Sequence, residues 1–277
     1  MNSPNGSVHL PPSGGEAGSG LFLSAAKTSR IVGSDLTSQD FAGLEARWID
    51  YRLALQAGLR RVDSLTGGEL VGRKGGNHAG IVIPYFQPGS DQVREYRLRR
   101  DHPEFEHDSA GNLKPRQKYL SPPGRSNMLY IAPNIAPELL RDMAIPAVIT
   151  EGEFKTLALW RLANHGSPGK PRFLPFGLAG VYNWRGTVCK TVGPDGSRLD
   201  VKGVIPDLDW VDWQGRKVVI AYDADAVAKD SVRIARSEFA AHLRGRGALV
   251  GFLEWPPAKR ERRRRPPGDR RAGGCAR

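Results

Sequence analysis

The chain has 277 residues, 39% hydrophobic and 25% charged, with 33 Gly and 21 Pro, enough for one large domain or two small ones with a proper core and many turns. Two cysteines, Cys189 and Cys275, exclude a cysteine-built zinc site and a disulfide framework, and no apolar run approaches the ~20 residues that span a membrane, so a cytoplasmic protein is expected. Of the formal charge of +12, the segment from Pro256 to Arg277 carries +7 and the body only +5, a balance that permits phosphate binding without demanding it.

The first 20 residues are rich in Gly, Ser, Pro and Asn, and residues 1–34 are expected to lack order. From Thr37 to Ala57 the residues Phe41, Leu44, Trp48, Tyr51 and Leu55 recur at helical spacing, and Gly58 closes the segment as a C-terminal cap. A short helix with Asp63 or Ser64 as its cap follows. Ile81 to Phe86 and Val93 to Arg99 flank a Pro-Gly-Ser-Asp turn and read as a β-hairpin. On its second strand Arg94, Tyr96 and Leu98 point one way and Glu95, Arg97 and Arg99 the other. Lys114 to Tyr119 and Leu129 to Ile131 add one or two strands. Residues 35–135 are therefore expected to form a small basic α+β module. Arginine and lysine beside aromatics (Arg97, Arg99, Lys118) suit a platform for single-stranded nucleic acid; an ordinary amphipathic sheet with a solvated charged face fits the same pattern.

From Pro137 the pattern becomes α/β. A short helix at Glu138–Met143 precedes a strand at Ala147–Thr150, and a helix at Glu153–Asn164 presents Phe154, Leu157, Ala158 and Leu162 inward. Strands at Phe173–Phe176, Val218–Tyr222 and Ala248–Trp255, with a helix from Lys229 to Arg244, complete an open sheet with flanking helices over residues 136–256. Two of these strands end in acid: Glu151-Gly152-Glu153 after the first, and Asp223-Ala224-Asp225 after the third. Ligands on parallel sheets bind beyond the carboxyl ends of strands. Glu151, Asp223 and Asp225 gathered there would repel one another unless a hard divalent cation sat among them, which points to magnesium and phosphoryl transfer. Asp207, Asp209 and Asp212, interspersed with Trp210 and Trp213, read as a solvated helix or turn.

The run Ile149-Thr150-Glu151-Gly152-Glu153-Phe154-Lys155, followed in order by Ala221-Tyr222-Asp223-Ala224-Asp225, resembles the Toprim fold of primases, topoisomerases and related nucleases. More closely, the chain is similar to an uncharacterised Toprim-like domain of phage and plasmid proteins that often stands beside primase or helicase modules. Tyr85, Arg97, Lys118-Tyr119, Leu129-Tyr130 and Gly180-Val181-Tyr182-Asn183-Trp184 match that pattern as well. The resemblance implies a mostly parallel Toprim-like sheet with Glu151, Asp223 and Asp225 holding Mg2+, and Glu151 assisting proton transfer. It also implies DNA or RNA, single-stranded, as ligand, a replicative helicase as partner, and primer synthesis or strand cleavage as activity. A non-catalytic strand-binding or helicase-associated module is the alternative. Lys155 stands near where many Toprim proteins carry an acid and would meet a phosphate, pair with Glu151, or remain a solvated helix lysine. Trp184 and Arg185, in a glycine-bracketed loop, would stack on a base and hold a backbone, or simply pack.

The resemblance also implies a Gly-Lys-Gly-x-Asp-Asp loop and a helix after the last strand, where this chain has Arg260 to Arg277 without apolar periodicity. One choice of codons for that stretch, read one nucleotide later, encodes Gly-Lys-Gly-Val-Asp-Asp and a helix-like continuation. Residues 257–277 are thus either a frameshift product or a basic nucleic-acid-binding arm without order.

Overall fold

A computed structural model describes residues 32–108, 111–167, 169–223 and 229–254. The N-terminal segment to residue 31 and the basic tail lie outside the described residues, as does Asp225.

Where one long helix is expected, two short ones form: α1 (Ser38–Glu45) and α2 (Tyr51–Gln56). Thr37 and Asp40 make a reciprocal capping box at the start of α1, and the Asp50 carboxylate caps α2 by accepting from the Leu53 N–H. Between them Trp48 takes a left-handed conformation (φ 62°), and the N–H of Ile49 bonds back to the Leu44 carbonyl. The break rotates the second helix. Leu44, Ile49, Leu53, Ala54 and Ala57 are buried, whereas Trp48, Tyr51 and Leu55 are exposed. A 3.6-residue period read straight through the break selects the wrong face. The cap at Asp63 forms as expected and starts α3 (Ser64–Leu70).

β1 (Arg60–Val62), β2 (Gly80–Phe86), β3 (Val93–Arg100) and β6 (Tyr119–Leu120) make an antiparallel sheet in the order β1-β2-β3-β6. β4 (Phe105–His107) and β5 (Leu113–Pro115) form a separate hairpin. β7 (Leu129–Ile131) leaves this neighbourhood and becomes the edge of a second sheet.

That second sheet has the order β13-β12-β8-β9-β7, built from β8 (Ala147–Glu151), β9 (Leu174–Leu178), β12 (Lys217–Ile220) and β13 (Leu249–Phe252). Four strands run parallel; β7 alone is antiparallel to its neighbour. Helices α4 (Pro137–Arg141), α5 (Glu153–Asn164) and α6 (Asp230–Gly245) connect the strands. The chain is therefore α/β with one mixed, mostly parallel sheet, and much of the rest is antiparallel. The β8–α5 unit follows the expected boundaries because β-branched residues, a glycine turn and a continuous helix-forming run agree there. The hairpin of β10 (Arg185–Val192) and β11 (Arg198–Val204) had no clear apolar alternation to announce it, since most of its side chains are exposed.

One core runs through both sheets. Ile81, Ile83 and Tyr85 of β2 belong to the same buried cluster as Tyr130, Ile149, Phe176 and Ile220, and the Tyr85 and Tyr130 rings meet edge to face at 5.0 Å. Arg216, fully buried, holds loops together by donating to the carbonyls of Asp212, Ile145 and Leu140 at 2.7, 2.8 and 2.8 Å. No helix among the described residues is long and apolar enough to cross a membrane.

Candidate functional site

The turn between β8 and α5 fixes the first acid. Glu151 ends β8, the N–H of Gly152 bonds to the Leu178 carbonyl of β9 at 2.7 Å, and α5 begins at Glu153. Gly152 has φ 83° and ψ 155°, a region open almost only to glycine. Close approach of α5 to β9 sets a second requirement: a Cβ on Gly177 would stand 2.3 Å from the Thr156 hydroxyl oxygen, whose hydrogen goes to the Gly152 carbonyl.

Asp223 arrives from the neighbouring strand. β12 pairs in parallel with β8, and Ala221 extends the ladder by donating to the Ile149 carbonyl at 2.8 Å. The Asp223 backbone N–H lies close enough to the Glu151 carboxylate to favour its ionised form. Burial pushes the Glu151 carboxyl above the usual carboxylate range; Lys155 opposes the shift and the Asp223 charge adds to it. Lys155, in the first turn of α5, donates to both carboxylate oxygens of Asp223 at 2.5 Å. The lysine thus pairs with Asp223 directly and with Glu151 only through space. Glu151 and Asp223 come together as the two strand ends require. Asp225 lies outside the described residues, among which no group of three metal-ligating side chains gathers.

Glu151 lines a cleft of about 440 Å³ that Arg47, Arg97, Tyr119, Gly152 and Lys155 also line. Arg97 is nearly buried, and its guanidinium donates to Glu153 at 2.6 Å and to the Ala179 carbonyl at 3.3 Å. Glu153, 1% exposed, also accepts from the Tyr85 hydroxyl at 2.5 Å. Sequence reasoning missed Glu153 as a partner; a carboxylate flanking a glycine turn reads as solvated until the opposing sheet is known. Arg97 is accordingly committed to a buried pair first and to the cleft second.

Arg99, Lys118 and Arg47 form a different group. None of them makes an ion pair with a carboxylate among the described residues, whereas Arg61 nearby is neutralised by Asp40 and Asp101. Arg99 lies over the Phe154 ring, 5.6 Å from its centroid. Burial, then the charges of Arg99 and Arg47, lower the Lys118 pKa. Arg47 and Phe154 line both the Glu151 cleft and an adjoining one of about 500 Å³ that contains Arg61 and Arg99. Arg47, contributed by the loop after α1, carried no motif that would have singled it out.

Trp184 takes the packing alternative, and the expectations for Arg185 and Asp207 are corrected. Trp184 is only 5% exposed and stacks on Phe239 and His242 at 5.2 and 5.5 Å, so it packs the α6 face and offers no platform to a base. Arg185 pairs with Glu238 of α6 at 2.6 Å and does not line the Glu151 cleft. Likewise Asp207 is buried, not solvated: it receives a two-pronged bond from Arg94 and one from the Leu129 N–H, all at 2.9 Å. Only Asp209 and Asp212 remain at the surface, bonded to Arg246 and Arg141.

Residues 137–262 match the family model of a domain of unknown function, DUF3854. The match covers α4 through β13 and so includes both acidic strand ends. No curated protein and no solved structure matches the chain.

Proposed function

We propose that this is a Toprim-like nucleic-acid protein that carries out magnesium-dependent phosphoryl transfer, primase-like or nuclease-like, on single-stranded DNA or RNA. One observation carries the reading: Glu151, beside Asp223 at adjacent parallel strand ends, opens onto a cleft lined by Arg47, Arg97 and Lys155. The donor chemistry fits magnesium, which keeps several waters and needs only one or two carboxylates besides phosphate oxygens. Bound there, the metal would neutralise charge developing on the transferring phosphoryl group. Glu151 and Asp223, with Asp225 as the third expected ligand, would hold it. Glu151, rigid at its strand end and raised in pKa by burial, is suited to exchange a proton with an attacking hydroxyl. Arg47, Arg99 and Lys118, short of carboxylate partners, would take backbone phosphates. The resemblance extends the reading to mobile-element replication beside a helicase.

A second reading, a strand-binding module without chemistry, is favoured by one specific feature: Lys155 already supplies a cation to Asp223. Asp223→Asn separates the two. Loss of magnesium-dependent nucleotidyl transfer or cleavage, with strand binding and melting temperature retained, supports the catalytic reading; activity that survives the substitution rejects it.

A further inference from the structure

Lys155 is the third residue after Gly152, and helical side chains tilt toward the N-terminus of their helix. That tilt brings its ammonium back over the carboxyl ends of β8 and β12. Both of its contacts to Asp223 are 2.5 Å, so both carboxylate oxygens are engaged by one cation. A magnesium ion needs an oxygen of Asp223 at about 2.1 Å, and it carries two charges of the same sign as the ammonium. The two cations therefore contend for the same oxygens.

We infer that Lys155 is a resident counter-ion of the acidic strand ends, competing with divalent metal for Asp223 and released from it when metal binds. This inference rests on the magnesium reading above. The exchange is feasible because the pair is half exposed, with side-chain accessibilities of 46% for Lys155 and 56% for Asp223, and exposed ion pairs are weak. Once displaced, the ammonium stays on the wall of the cleft shared with Arg47 and Arg97, where a phosphate oxygen is its natural acceptor. Metal binding would thereby place a cation at the phosphate, and a metal-free site would remain neutralised. The lysine acts as a positioning and specificity-determining residue that sets how much metal the site requires.

The test is calorimetric titration of the full chain with Mg2+ in the absence of nucleic acid. Lys155→Met keeps the length of the side chain and removes its charge; Lys155→Arg keeps the charge. The inference expects Lys155→Met to bind Mg2+ about tenfold more tightly than wild type and Lys155→Arg to stay within a factor of two or three of it. Adding Asp223→Asn to Lys155→Met should abolish the gain. Equal affinity in wild type and Lys155→Met overturns the competition while leaving the metal site intact. Tightening that persists with Asp223→Asn also overturns it, because the contested oxygens would then be elsewhere. Absence of Mg2+ binding in Lys155→Met removes the metal reading itself, and the inference with it.

Discussion

The Tyr85 hydroxyl donates to Oε1 of Glu153 at 2.5 Å, tying the middle of the first sheet to the first turn of α5. The same oxygen receives Arg97 at 2.6 Å. This buried triad joins the antiparallel sheet to the element that carries the acidic turn. Oε2 of Glu153 and Nε of Arg97 are buried and have no hydrogen-bond partner among the described residues, so the pair has little to fall back on. Replacing Glu153 with Gln leaves Arg97 buried without a counter-charge, which costs about 3–5 kcal/mol. Tyr85→Phe, which removes only a donor, costs about 1–2 kcal/mol. Urea denaturation of both variants checks the order; a Glu153→Gln protein as stable as wild type would show that the triad does not hold the sheets together.

The second prediction concerns binding. Arg47, Arg99 and Lys118 crowd together without carboxylate partners, and burial with the two arginine charges lowers the Lys118 pKa. Like charges held this close are relieved by a bound anion. Arg99→Ala and Lys118→Ala should each weaken single-strand binding and flatten the dependence of log K on log salt by about 0.7 for each phosphate no longer neutralised. Arg185→Ala, whose partner is Glu238, should leave both quantities alone. A salt slope indifferent to Arg99 and Lys118 would move the strand to another surface.

Much of the site could be read from local chemistry. Val148 to Glu151, Gly152 and the α5 run form a continuous strand, turn and helix, and each local preference points the same way. The pairing of Lys155 with Asp223 joins residues 68 positions apart, and only the parallel register of β8 and β12 brings them together. Tyr85 and Glu153 are equally remote in sequence. Trp184 left two readings open for a related reason: an indole in a glycine-bracketed loop can stack on a base or pack, and only the placement of α6, whose Phe239 it stacks on, decides. Helix spacing failed at Trp48 because a single left-handed residue resets the phase.

A third prediction follows from that Trp184 face. His242 stacks on the indole, and burial, reinforced by Arg246, lowers its pKa below the ordinary value of 6.5. An unfolded chain takes up this proton near pH 6.5 while the native ring still refuses it. The contribution of neutral His242 is therefore fully present above pH 6.5. It is lost as pH falls from there toward the native pKa. His242→Phe, which keeps the stack, should flatten the fall in melting temperature between pH 7.5 and 5.5 (a window of about two units around the free-histidine value). Parallel curves for the two proteins would remove His242 from the acid sensitivity.

The last prediction returns to the acidic turn. Gly152 adopts φ 83° and ψ 155°, yet a Cβ there would meet nothing within 4 Å. Any penalty for Gly152→Ala therefore comes from backbone conformation and not from collision, and the expected cost is about 1–3 kcal/mol. The chain would relieve it by rotating the peptide that places Glu151 beside Asp223. Stability and Mg2+ affinity should then fall together, although Gly152 contributes no side chain to the site. Ala163→Gly in the same α5 helix is a useful comparison: it loosens a buried contact at the far end and should lower the melting temperature without touching metal affinity. If Gly152→Ala melts like wild type and titrates Mg2+ unchanged, the positive-φ turn is not what orients Glu151.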